Sequence, residues 1–307
     1  MKFLFNEEVL RMSSPVSIDA VLAASALPKR REDRHKGDFG KLLIVGGAVG
    51  YTGAPYLAAS AAVHSGCGLV YLGVPQGIWR VEAAKCASAM PFPLSDEGGL
   101  LCEASYGGIV EKLQSCSVLA LGCGLGRSES INRLVARLLD FAPQSVVLDA
   151  DGINALAGQL DVLDARHGRV TILTPHEAEF ARLLDVPVNK ITSSDRAALA
   201  SAFAVRHGCV LVLKGHETVI ALPDGEVLVN DLCGGSALSK GGSGDVLTGL
   251  IASLLAQGAS VRDAAACGVY LHARAGDLLA ERETAYCVTP DELVTQGFPL
   301  AFQSLLS

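Results

Sequence analysis

The chain has 307 residues, half of them hydrophobic and 19% charged, with a formal net charge of −7. That composition supports a substantial core and excludes a disordered or fibrous chain, and the acidic balance excludes a basic nucleic-acid footprint. No apolar run reaches the ~20 residues of a membrane span, and the nine cysteines are scattered without a Cys-x-x-Cys pair, as expected of reduced thiols in a cytoplasmic protein.

In chain order, the opening MKFLFNEEVL is too short and too acidic for a signal or transit peptide. Residues 1–36 read as a leader segment with one short helix around Ile18–Leu27, followed by the charged connector PKRREDRHKGD. One domain, 37–307, is expected after it. LLIVGG (42–47) reads as a buried strand ending in glycines, GAPYLAASAAVHSG (53–66) as an Ala-rich helix, and LVYLGV (69–74) as the next strand. VLALGCGLG (118–126), VVLDADGIN (146–154), VTILTPHEAEF (170–180) and CVLVLKG (209–215) each begin as a strand and break into glycines, acids or a helix start. Short apolar strands separated by helical stretches indicate an α/β protein with a mostly parallel sheet. In ETVIALPDGEVLVN (217–230), Asp224-Gly225 between two β-rich runs predicts a two-residue antiparallel hairpin, expected to close one sheet edge. Helices over Val246–Ala256 and Val261–Arg282 finish the chain. Neither an internal repeat nor a linker divides it.

Ligands of open α/β sheets bind beyond the carboxyl ends of the strands. Those ends carry Gly46-Gly47, Gly122–Gly126, Asp149–Asn154, Thr174–Glu179 and Lys214–Thr218. One crevice should collect them.

The most informative stretch is GGSALSKGGSGDVLTG (234–249). Val246, Leu247, Leu250, Ile251, Leu254 and Leu255 form one helix face, so a helix starts near Ser243–Asp245. Its first N–H groups are unpaired and carry the positive end of the helix dipole. Glycines at 241, 242 and 244 let an anion reach the backbone. This predicts an anion hole at Gly242, Ser243 and Gly244. It is not a Walker A loop, since the lysine precedes the glycines. A carboxylate inside an anion site costs energy unless it does chemistry. Asp245 is therefore the candidate general base, taking a proton from a hydroxyl as a phosphoryl group arrives; the plainer alternative is that Ser243 and Asp245 cap a helix.

In TPHEAEF, Thr174 and Glu177 fit a capping box with Pro at the first helical position. His176 and Glu179 are left for function: the first as a hydrogen-bonding group for substrate, the second orienting water around a phosphate-bound Mg²⁺. The alternative for both is an ordinary helix surface. Lys214, followed by Gly215, is a candidate phosphate or nucleotide contact. GGAVGYTGA (46–54) lacks the spacing of a dinucleotide fingerprint, although Gly53-Ala54 and the LGCGLG turn (121–126) allow a ligand close to the backbone.

HKGDFGKLLIVGG, YTGAPYLAASAAVHSGCGLV, LGCGLG, LDADGINAL, TPHEAEF, LKGHETVI and KGGSGDVLTG follow one another from residue 35 to 249. This series resembles the ADP-dependent NAD(P)H-hydrate dehydratases, counterparts of the C-terminal domain of bifunctional NAD(P)HX repair enzymes. The resemblance implies a ribokinase-like fold. It also implies repair of NADHX and NADPHX, the ring-hydrated forms of NADH and NADPH. Water is removed from the S epimer while ADP becomes AMP and phosphate.

Carried over by residue, the resemblance makes Asp245 the base that contacts the hydrated ring, and Ala54, Gly124 and His176 further substrate contacts. Lys214, Gly215, His216, Glu217, Thr218 and Gly244 become nucleotide contacts. Glu179 becomes the acid of a phosphate and Mg²⁺ motif. The loop reads Gly-Ser-Gly-Asp where Gly-Thr-Gly-Asp is frequent, and Cys123 stands where proline is frequent. A homotetramer and a separate NAD(P)HX epimerase are implied in the same way. The competing reading is a ribokinase-like vitamin-precursor kinase, which typically carries Asn at the position of His176. A non-catalytic nucleotide sensor is disfavoured by Asp245.

Overall fold

The computed structural model describes residues 14–30, 32–191 and 195–307; the opening thirteen residues of the expected leader fall outside them. The strands are β1 (Val16–Ser17), β2 (Lys41–Val45), β3 (Leu69–Pro75), β4 (Met90–Leu94), β5 (Asp96–Glu97), β6 (Leu100–Leu101), β7 (Val118–Leu121), β8 (Ser145–Leu148), β9 (Thr171–Leu173), β10 (Val210–Leu213), β11 (Thr218–Ala221) and β12 (Val227–Asn230). The helices are α1 (Ala20–Ala26), α2 (Gly53–His64), α3 (Gln76–Lys85), α4 (Tyr106–Leu113), α5 (Glu129–Phe141), α6 (Ala150–Asn154), α7 (Asp161–Asp164), α8 (Glu177–Leu183), α9 (Arg196–His207), α10 (Ser243–Ala256), α11 (Val261–Glu283), α12 (Pro290–Glu292) and α13 (Phe298–Leu306).

Among the described residues, ten strands form one sheet in the order β1-β12-β11-β10-β9-β8-β7-β2-β3-β4. Every pairing is parallel except the two that β11 makes with β10 and β12. The central strands are apolar at nearly every position because helices cover both faces. Alternation divides their side chains between two cores. Leu43, Val45, Leu119, Leu121, Val146 and Leu148 enter one, while Leu42, Ile44, Val118, Ala120 and Val147 enter the other.

Close helix packing explains the Ala-rich pattern of α2. Gly249 of α10 lies directly on the Ala58 backbone, where any side chain would run into the Ala58 carbonyl. Ala58, Ala59, Ala61 and Ala62 are fully buried, and the Ser253 hydroxyl donates to the Ala62 carbonyl at 3.0 Å. These contacts fix where the amino end of α10 points.

Three details differ from the expectations. The hairpin does not end the sheet, because Val16 and Ser17 pair in parallel with Leu228 and Val229. Its loop has three residues rather than two. The Gly225 N–H donates to the Leu222 carbonyl at 3.0 Å and that of Leu222 to Glu226 at 2.9 Å. Pro223 suits the first turn position, and Gly225, at φ +91°, takes the left-handed one. Beyond α11, where no further helix was expected, α12, a π-helical turn (Leu293–Gly297) and α13 follow. Phe298 and Ala301 from this end are fully buried.

Candidate active site

The parallel strands β2, β7, β8, β9 and β10 end on one edge, and their next residues are Gly46, Gly122, Asp149, Thr174 and Lys214. The reversed strand β11 starts on the same edge, so the 214–218 turn stays beside them. α10 points its first turn at this edge. Gly242 caps it at φ +103°, a backbone state that favours glycine. The Ser243 N–H donates to the Lys240 carbonyl at 3.2 Å. Of the first-turn amides, those of Gly244 and Asp245 are left for an anion. A side chain at Gly244 would sit 3.2 Å from Lys214 Nζ, so the glycine keeps that approach open.

Asp149 and Lys214 form the polar centre. Asp149 is 1% exposed, and its Oδ1 accepts from Lys214 Nζ at 2.7 Å and from the Thr174 hydroxyl at 2.8 Å. Burial pulls the lysine's pKa down, but Asp149, Glu179 and Asp245 outweigh it and the net direction is up. The ammonium therefore stays charged. Cys123, also 1% exposed, brings its sulfur within 4.8 Å of carboxylate oxygens of both Asp149 and Asp245. Burial first, then those two acids, hold its thiol protonated.

Asp245 has the most altered carboxyl of the site. Burial, and then the charge of Asp149, push its pKa up to about 7, against the opposing effects of Cys123 and Lys214 and with a further rise from Glu179. A carboxyl with a proton affinity near neutrality is suited to accept a proton and release it again.

The structure corrects the capping reading of TPHEAEF. Lys214 N–H donates to the Pro175 carbonyl at 2.8 Å, and a parallel bridge joins His176 to Lys214. These hold residues 175 and 176 extended, so α8 begins two residues later than the expected box requires. Thr174 turns to Asp149, and Glu177 pairs with Arg196 at 2.8 Å. The box is instead made by His176 and Glu179. Nδ1 of His176 accepts from the N–H groups of Ala178 and Glu179 at 3.1 and 3.3 Å. That places the ring proton on Nε2, 3.4 Å from Glu179 Oε1. The other oxygen of Glu179 accepts from the His176 N–H at 2.9 Å.

A cavity of about 610 Å³ opens beside this centre, lined by His176, Lys214, Gly215, His216, Thr218, Gly244 and the 234–240 loop. Of the expected nucleotide contacts, Glu217 does not line it. Ala54 and Gly124 lie on a different flank. Gly124, at φ +67°, has the Ala54 methyl 3.0 Å from where its own side chain would start. Cys123, adjacent to Gly124, links that flank to Asp245.

Several residues were not anticipated. Arg196 holds the 214–215 turn, donating to the carbonyls of Leu213 and Lys214 at 3.1 and 3.2 Å. Asp277 accepts from the N–H groups of Gly234 and Gly235, both at 3.0 Å, and so fixes the loop over the cavity. His272 of α11 lines the wall, its pKa lowered to about 4 by burial. Among the described residues, no helix is long and apolar enough to cross a membrane.

Comparison with known proteins decides what this edge belongs to. The family model for NAD(P)H-hydrate dehydratase matches residues 42–297. The chain belongs to the NAD(P)H-hydrate dehydratase family. It is 41% identical over 256 residues to the ADP-dependent (S)-NAD(P)H-hydrate dehydratase of Neisseria meningitidis, covering 82% of this chain and 81% of that protein. It is 43% identical over 266 residues to the bifunctional NAD(P)H-hydrate repair enzyme of Moorella thermoacetica, covering 86% of this chain. The chain spans about half the length (50%) of that bifunctional enzyme. A ribokinase-like superfamily protein of Enterococcus faecalis superposes with a TM-score of 0.81 at 25% identity, over 96% of this chain and 98% of that one. The Bacillus subtilis ADP/ATP-dependent NAD(P)H-hydrate dehydratase, crystallised with ATP and Mg²⁺, does so with a TM-score of 0.79 at 28% identity, over 96% and 99%. The fold of this dehydratase-family chain is thus ribokinase-like, as the motif series implied.

Proposed function

We infer that this protein removes water from the S epimers of hydrated NADH and NADPH, converting ADP to AMP and phosphate. One observation carries the reading. A carboxyl with a pKa raised to about 7, Asp245, stands in the anion-receiving first turn of α10, beside the charged Lys214. Hydroxide is a poor leaving group and phosphate a good one. The terminal phosphate of ADP lies at the Gly244 and Asp245 amides and Lys214, with the rest of the nucleotide in the cavity of about 610 Å³. The hydrated ring reaches Asp245 from the Ala54 and Gly124 flank, and His176 offers it a hydrogen-bonding group from the cavity side. Asp245 takes the proton of the ring hydroxyl as its oxygen bonds to the terminal phosphorus and the anhydride bond breaks, releasing AMP. Loss of phosphate from that ring carbon, its C–O bond breaking with the electron pair kept by phosphate, and loss of a proton from the adjacent ring carbon to water then restore the dihydropyridine double bond.

Asp149, Glu179 and Asp245 are hard oxygen donors of the kind Mg²⁺ selects, which supports a place for the ion at this edge. Both oxygens of Glu179 already face His176, which favours contact through water. Bound Mg²⁺ would supply neutralising charge at the phosphates. A cytoplasmic location, a tetramer and a separate epimerase acting on the R epimer belong to the same proposal.

The test mixes purified protein, Mg²⁺ and NADHX with ADP or ATP. The dihydropyridine absorbance should return with ADP, together with an equal amount of AMP. Recovery with ATP alone would reverse the nucleotide assignment. Nucleotide binding without recovery would favour the vitamin-precursor kinase.

A further inference from the structure

Electrostatics at this edge leaves a cation unaccounted for. Lys214 is the cation at the centre, and its charge is taken up by Asp149 at 2.7 Å. Glu179 and Asp245 add further negative charge around it. A nucleotide diphosphate brings still more. Lys240 lines the same cavity and lies directly before the Gly241-Gly242 turn into α10. Its own carbonyl accepts the Ser243 N–H at 3.2 Å, so its backbone is tied to the anion-receiving turn. Among the described residues its ammonium makes one hydrogen bond, 2.6 Å to the Tyr286 backbone carbonyl. Tyr286 is 93% exposed. Glu292 feels the charge of Lys240, but its carboxylate is engaged by the Thr289 N–H and hydroxyl at 2.9 and 2.7 Å.

We propose that Lys240 is a phosphate clamp. It leaves the Tyr286 carbonyl when ADP binds and places its ammonium on the terminal phosphate. A phosphate oxygen is a much stronger partner for an ammonium than a solvent-exposed amide carbonyl. The four-carbon stem allows the exchange without moving the loop. The terminal phosphate, rather than the one shared with AMP, is the target, because the lysine adjoins the turn where phosphoryl transfer takes place. This rests on the reading of the cavity as the nucleotide site.

Calorimetric titration of ADP and of AMP, with Mg²⁺ and without NADHX, tests it on the full chain. Lys240→Met should weaken ADP binding about 10- to 100-fold, the range for a lost hydrogen bond to a charged group. It should change AMP binding less than about threefold, since AMP lacks the phosphate this contact serves. Lys240→Arg should restore most of the ADP affinity. Equal loss for ADP and AMP would show a structural role for the loop and overturn the proposal, as would no loss at all. If the unmodified protein binds neither nucleotide, the nucleotide reading itself fails, and that result is distinct from a failure of the clamp.

Discussion

Asp245→Asn is expected to cut turnover by roughly 10²- to 10⁴-fold and at the same time to make the protein more stable. General-base catalysis contributes roughly 10²- to 10⁴-fold, and asparagine cannot take the proton, so a loss of that size should appear in kcat. ADP binding should survive, since the backbone amides that receive the phosphate are unchanged. The stability gain follows from the sign of the pKa change. The carboxyl is raised from 3.8 to about 7, so the folded state binds the proton more tightly than the unfolded one. Ionisation therefore works against the fold, increasingly as pH rises from the ordinary carboxylate range, and fully above about 7. Removing the charge should stabilise the protein by about 1–3 kcal/mol above neutrality, discounted for partial solvent access. The difference should shrink in acid. By the same argument, kcat/KM of the unmodified enzyme should fall as pH drops below about 7. Urea melts at an acid and a slightly alkaline pH, with turnover measured on both proteins, check all of this. Near-normal turnover would remove Asp245 from the base role. An equal stability difference at both pH values would contradict its desolvated setting.

Lys214→Met should be among the most damaging single changes outside the apolar core. It leaves Asp149, 1% exposed, with the Thr174 hydroxyl but no cation. Breaking a buried ion pair from one side costs about 3–5 kcal/mol, because the remaining charge is uncompensated. Lys214 retains some solvent access, at 19% of its side chain, which places the expectation at the lower end. Adding Asp149→Asn should recover most of the loss, since the stranded charge is then gone. A double-mutant cycle in urea measures the coupling. A single-mutant loss below about 1 kcal/mol would mean that the pair behaves as a screened surface contact.

The parts of this site written in contiguous residues were legible before the fold was known. The start of α10 could be placed because the apolar face begins at Val246 and glycines precede it. The strand ends could be collected because parallel strands must finish on one edge. The polar centre was not legible. Asp149 and Lys214 are 65 residues apart, and nothing local says that one neutralises the other. Cys123 read only as one of the scattered reduced thiols, in a turn where proline is frequent, and its contact with Asp245 exists only once β7 and α10 are packed. The TPHEAEF box was misassigned because Thr174 and Glu177 have the right spacing. Pairing of residues 175 and 176 with β10 delays the helix, and that is a tertiary effect. β1 is two residues long and exposed, so it offers no periodicity to detect.

The central claim is that the ring hydroxyl leaves as phosphate. NADHX prepared in heavy-oxygen water carries the label on that hydroxyl. After a single turnover with unlabelled ADP in ordinary water, the label should appear in inorganic phosphate and be absent from AMP. Label released into water, with phosphate unlabelled, would mean that dehydration and ADP cleavage are separate events. Asp245 would then not be the base for phosphoryl transfer, and the first turn of α10 would not be where that transfer takes place.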